Sequence, residues 1–158
     1  MIHVKGFAAT DSTSPLTQYN FERRDLREHD VLVDILFSGV CHSDLHQVRD
    51  EWGGSIYPMV PGHEIVGRVI KTGRHVKKFK VGDTAGVGVM IDSCRQCKPC
   101  NKFMEQYCAE GMTGTYNNYE RDNITVAQGG YSTLIVCDER WVYHVSDKLD
   151  LAGVAPLL

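Results

Sequence analysis

Pro61-Gly62-His63-Glu64-Ile65-Val66-Gly67-Arg68-Val69-Ile70-Lys71-Thr72 is the stretch on which the reading of the fold turns. From Glu64 to Thr72 it is rich in β-branched and apolar residues over strand length, so a buried strand is expected there. A glycine, an imidazole and a carboxylate stand at its entrance. Working outward, Val31-Leu32-Val33-Asp34-Ile35-Leu36-Phe37 is a second run of the same kind, and Thr84 to Met90, Ser132 to Val136 and Trp141 to Val145 read likewise. Glycines at 62, 67, 73, 82, 86, 88, 129 and 130 punctuate these runs, where a barrel needs turns, bulges and tight bends. One short helix is expected over Ser43–Arg49, with Ser43 as its N-cap and Leu45, Val48 and Trp52 sharing a face. Asp11 to Pro15 and Tyr116 to Gln128 read as loops. The expected fold is mainly β with short helices.

The 158 residues suit one compact domain, 1–158. Hydrophobic residues make up 42% and charged residues 23%, ordinary values for a globular protein. With a formal net charge of −3 and no basic block, neither nucleic acid nor an anionic membrane surface is an expected partner. No apolar run approaches the roughly 20 residues that cross a bilayer, and the N-terminus lacks a signal-peptide core. A cytoplasmic protein is expected.

Six cysteines need an account. Cys94, Cys97, Cys100 and Cys108 crowd into 15 residues, while Cys41 and Cys137 stand apart, Cys137 reading as a small buried residue. Four thiolates close a tetrahedral shell on Zn2+ at about 2.3 Å each and leave no open position, the mark of a structural site in a lobe of about 92–110. An iron–sulfur cluster is the rival, but ferredoxin runs continue as x3-C-P, whereas Cys108 comes eight residues after Cys100 with no proline behind it. Lys98, Arg95 and Lys102 would offset the charge of the thiolates. A second, dispersed donor set is Cys41 with His63 and Glu64. Thiolate, imidazole and carboxylate all suit zinc, yet this trio is weak evidence by itself.

Around those residues the chain reads Gly39-Val40-Cys41-His42-Ser43-Asp44, then Tyr57-Pro58-Met59-Val60-Pro61-Gly62-His63-Glu64-Ile65-Val66-Gly67, then Val81-Gly82-Asp83, then the four-cysteine lobe. In that order they resemble the catalytic domain of the medium-chain zinc-dependent alcohol dehydrogenases, whose GHExxG motif is matched by Gly62 to Gly67. Cys41 to Gln47, Gln106-Tyr107-Cys108 and Gln128-Gly129-Gly130-Tyr131 are similar to the cinnamyl-alcohol-dehydrogenase-like branch.

The resemblance covers essentially the whole chain. It implies a GroES-like, partly open β-barrel normally followed by a Rossmann cofactor domain. It also implies Cys41, His63 and Glu64 at a catalytic zinc, Cys94, Cys97, Cys100 and Cys108 at a structural zinc, and Ser43 and His46 as a proton relay. In the intact enzyme His42 would reach a cofactor phosphate, and Trp52 and Tyr57 read as pocket wall, with core packing as the alternative. The reaction implied is exchange of a hydride between a small alcohol or aldehyde and NADP(H) or NAD(H), and the resemblance leaves room for a homodimer of the intact protein.

Two departures stand out. The family's third protein ligand is a cysteine directly after Ala-Pro-Leu-Leu, and here Ala155-Pro156-Leu157-Leu158 closes the chain. No Gly-x-Gly-x-x-Gly occurs either, so the Rossmann domain is expected to be absent and the chain truncated and inactive alone. After Cys108 the chain has Met112-Thr113-Gly114-Thr115-Tyr116 where plant members carry a tryptophan, so the plant substrate does not carry over. A stand-alone zinc-stabilised binding module is the alternative reading.

Overall fold

The computed structural model describes residues 1–158. Its centre is an antiparallel sheet of five strands in the order β10-β3-β4-β5-β11. These are β3 (Asp30–Ser38), β4 (Ile65–Thr72), β5 (Thr84–Val87), β10 (Leu134–Asp138) and β11 (Val142–His144). An N-terminal hairpin, β1 (Ile2–Ala8) and β2 (Thr17–Arg23), continues the surface through a bridge from Gly6 to Ser132 and a hydrogen bond from Phe7 N to Tyr131 O at 2.8 Å. The result is the expected mainly β, partly open barrel.

Burial explains the apolar runs. Ile65 and Val69 on β4 point into a core shared with Val31, Val33, Ala85, Val87, Ile135, Cys137, Trp141 and Val142. Val66, on the opposite face of β4, is covered by Val154 and Ala155 from the short helix α2 (Leu151–Val154) and the 3-10 turn after it. The start of β4, covered on both faces, shows no polar alternation, whereas exposed Arg68 and Ile70 flank buried Val69 further along. Cys137 is 2% exposed, and burial pushes its thiol well above the ordinary range.

Several expectations need correction. The run Thr84–Met90 divides, because β5 ends at Val87 and β6 (Met90–Asp92) leaves to pair with β7 (Thr113–Gly114) under the cysteine lobe. The loop expected over 116–128 holds a small hairpin, β8 (Asn118–Tyr119) with β9 (Val126–Ala127). The β1–β2 hairpin was not anticipated, although Val4, Gly6 and Ala8 are buried in strict alternation with exposed Lys5 and Phe7. The helix α1 runs from His42 to Val48 and is capped by Cys41, not Ser43. Its buried residue is Asp44, while Leu45 and Trp52 are exposed, so the apolar face read from spacing is not a packing face.

Arg23 fastens the hairpin to the barrel. Its guanidinium donates to Leu134 O at 2.6 Å, Gly129 O at 3.0 Å and Ser132 Oγ at 3.1 Å, and burial lowers its pKa to about 10. Arg23→Leu strands those acceptors, so urea unfolding is expected to show a loss of about 1–3 kcal/mol.

Candidate metal centres and the residues behind them

The lobe resolves into two single-turn 3-10 helices, Cys100–Lys102 and Glu105–Tyr107, with Arg95 and Phe103 in the left-handed region at φ 63° and 57°. These reversals turn four thiols toward one point. All six cysteines are free, and one donor atom from each of Cys94, Cys97, Cys100 and Cys108 lies within 4.8 Å of the others. Sγ of Cys97 and Sγ of Cys100 are 3.4 Å apart, and Cys94 and Cys100 3.9 Å, near the edge of about 3.8 Å that four sulfurs at about 2.3 Å from a zinc would have. Backbone amides of Cys94, Cys97 and Ala109 donate to Cys108, Cys94 and Cys97 sulfurs, each at 3.4 Å. The donor chemistry fits zinc.

One of the cations expected beside the thiolates is engaged elsewhere. Arg95 turns to Asp92 and Asp138, at 2.9 Å each, tying the lobe to the barrel. The guanidinium at a sulfur belongs to Arg121, whose Nη2 sits 3.8 Å from Cys108 Sγ and also bonds Gly111 O. Arg121 lies beyond the lobe in sequence, and only the fold returns it there.

The second donor set is assembled from the end of β3 and the entrance of β4. Cys41, His63 and Glu64 each offer an atom, all within 4.8 Å of one another. Glu64 Oε2 is buried without a hydrogen-bond partner, the situation of a carboxylate oxygen left for a cation. These residues also fit a metal.

Asp44 organises that set, and its part was not legible from the sequence. It is 3% exposed. Its Oδ2 accepts from Cys41 N at 3.0 Å and from Tyr131 OH at 3.1 Å, and its Oδ1 accepts from Gly62 N at 3.0 Å and lies 3.9 Å from His63 Nδ1. One carboxylate therefore holds both backbone segments that carry the donors. Gly62 has φ 102°, and a Cβ on it would meet the Tyr131 ring at 2.6 Å. Tyr116 stacks on His63, centroids 5.8 Å apart and 9° from parallel. Burial, then the Asp44 charge, raises the phenol pKa of both Tyr116 and Tyr131.

Ser43 and His46 stand three residues apart on α1 and so share a face. His46 Nδ1 bonds Glu51, and its ring stacks on Trp52 at 4.8 Å. Glu51 was also missed, since it follows the helix with no motif of its own. Trp52 is 60% exposed, Tyr57 is half-buried with its hydroxyl donating to Val48 O at 2.5 Å, and His42 is exposed.

The chain belongs to the alcohol dehydrogenase GroES-like domain family, whose model matches residues 27–147. NADP-dependent alcohol dehydrogenase C 1 of Mycolicibacterium smegmatis is 52% identical over 100% of this chain and 45% of its own length. Cinnamyl alcohol dehydrogenase 2 of Arabidopsis thaliana is 50% identical over 97% of this chain and 40% of its own. The CAD from Helicobacter pylori complexed with NADP(H) superposes with a TM-score of 0.95 at 44% identity, covering 99% of this chain and 45% of that one. These relatives bear out the resemblance to the cinnamyl-alcohol-dehydrogenase-like branch. The chain spans about half the length of the relatives it matches. Benzyl alcohol dehydrogenase from Acinetobacter calcoaceticus, 21% identical with a TM-score of 0.84, shares the fold.

Proposed function

We propose that this chain is the metal-binding, substrate-orienting domain of a cytoplasmic, zinc-dependent alcohol dehydrogenase that interconverts alcohols and aldehydes with NADP(H). The observation that carries this reading is the convergence of Cys41, His63 and Glu64 from distant segments, with Asp44 buried behind them. Cys41, His63 and Glu64 would hold a catalytic zinc, and Cys94, Cys97, Cys100 and Cys108 a structural one. When bound at the first position, zinc supplies Lewis-acid polarisation of the substrate oxygen.

The chain's own residues do the rest. Ser43 exchanges a proton with the substrate hydroxyl and hands it along α1 to His46. Glu51 holds His46 Nδ1, which orients the ring for exchange with solvent. Exposed Trp52 and half-buried Tyr57 form one wall of the substrate cleft, and exposed His42 is available to a cofactor phosphate. The nicotinamide cofactor would be held by the portion of the relatives that this chain does not span, and the intact protein would form a homodimer.

The test counts metal. Elemental analysis of the 158-residue chain is expected to show one zinc that survives a mild chelator and a second that does not, because three mixed donors compete poorly with four thiolates. Cys41→Ser should remove only the labile ion and Cys108→Ser only the tenacious one. Two ions held with equal tenacity, or no change in Cys41→Ser, would overturn the assignment.

A further inference from the structure

Gly39 lies between β3 and Cys41, and its N–H donates to the carbonyl of Glu64 at 2.8 Å. The Glu64 side chain packs directly over this residue. A Cβ on Gly39 would fall 2.0 Å from Glu64 Oε2, 3.0 Å from its Cβ and 3.1 Å from its Cδ. Those three atoms are the nearest of any to that position, so a methyl group there would compete with the carboxylate and its own stem. Gly39 is not in the left-handed region, unlike Gly62, and an alanine could adopt its backbone. Glycine is therefore required at 39 for space, not for conformation.

The displaced group would be Glu64 Oε2, which is buried and has no hydrogen-bond partner to draw it elsewhere. It belongs to the carboxylate that converges with Cys41 and His63. We propose that Gly39 is a positioning residue whose bare Cα sets the Glu64 carboxylate beside Cys41 and His63. Any side chain at 39 would turn that carboxylate out of the donor set. This rests on the trio's being a metal centre, and the experiment separates the two ideas.

Co2+ is titrated into the 158-residue chain and followed by its visible bands, with Cys41→Ser giving the spectrum of the four-cysteine lobe alone and far-UV circular dichroism reporting the folding of the barrel. Gly39→Ala should leave the lobe bands intact, weaken the second site about 10–100-fold and shift its d–d bands as solvent replaces the carboxylate. Glu64→Asp shortens the side chain by one methylene. It should weaken the second site in the otherwise native chain yet strengthen it in Gly39→Ala, because the shorter carboxylate clears the methyl. A clash without this role would not produce that reversal of sign. Should Gly39→Ala fail to fold, Gly39→Ala/Glu64→Asp is expected to recover the second site together with the fold, and a recovered fold without second-site cobalt would overturn the proposal. An unchanged second site in Gly39→Ala, or no rescue of binding or folding by Glu64→Asp, would overturn the proposal. If the native chain takes up cobalt only in the lobe, the metal-centre reading itself fails and the proposal with it.

Discussion

Stripping zinc from Cys94, Cys97, Cys100 and Cys108 is expected to unfold the lobe while the barrel stays folded. Residues 93–111 contain only two single-turn 3-10 helices, and Phe103, Met104 and Tyr107 are all exposed, so little apolar burial holds this segment. The ion would have to supply most of its order, and structural zinc in small domains contributes about 10–16 kcal/mol near neutral pH. Hydrogen exchange should show amides such as Cys108 N and Asn101 N losing protection together on chelation, while those of β3 and β4 keep theirs. Loss of the whole sheet in the same step would contradict this division.

The same ion should bind more tightly as pH rises, and the sign follows from the thiols. Cys97 accepts the Ala109 amide first and the Cys100 amide next, and its pKa falls to about 6, so it is already ionised at pH 7. The Gln96 amide favours the Cys94 thiolate, but burial and the neighbouring Cys108 and Cys97 sulfurs outweigh it and push Cys94 up to about 11. Between those values Cys94 carries a proton that zinc must displace. Each proton released makes affinity rise about tenfold per pH unit, so a slope of at least one decade per unit is expected between pH 6.5 and 8. Competition with a chromophoric chelator across that range measures it, and a flat profile would contradict it.

Asp44→Ala is the second substitution with a large expected effect. It leaves the buried amides of Cys41 and Gly62 and the Tyr131 hydroxyl without their acceptor, and it removes the carboxylate beside His63. Stranding buried donors costs about 1–3 kcal/mol each, and partial relaxation leaves about 3 kcal/mol as the expected loss in urea unfolding. The loss should come with weaker metal at Cys41, His63 and Glu64 and an unaltered four-cysteine lobe. Asp44→Asn is expected to fall between the two, because an amide oxygen can serve only part of the acceptor set. A stable Asp44→Ala chain with both metal sites intact would refute the organising role.

How far such effects could be foreseen depends on where partners lie along the chain. The cysteine lobe is local, since its four donors span 15 residues, and spacing alone implied a closed tetrahedral shell. Strand positions were legible where mostly apolar, β-branched runs reach strand length, as in Val31–Phe37 and Glu64–Thr72. The β1–β2 hairpin was not, because Lys5 and Gln18 interrupt its apolar residues and a partner strand makes that pattern meaningful. Ser43 looked like a helix cap because its side chain suits one, but the helix begins at His42, which puts Cys41 at the N-cap and Asp44 at the position that accepts from Cys41 N.

By itself the amino-acid sequence determined the mainly β fold, the family and a cluster of four cysteines at metal-ligand spacing. Each of these resides in residue type and short spacing, or in motifs whose order along the chain is preserved. The meeting of Cys41 and His63 was expected from the resemblance, but tertiary structure alone decided that Asp44 braces both their segments and that Arg121 returns to Cys108. It alone decided that Gly39 leaves room for Glu64. The physical reason is that a buried carboxylate or a missing methyl acts over 3 or 4 Å of space, and strand pairing sets which distant residues fall within that distance.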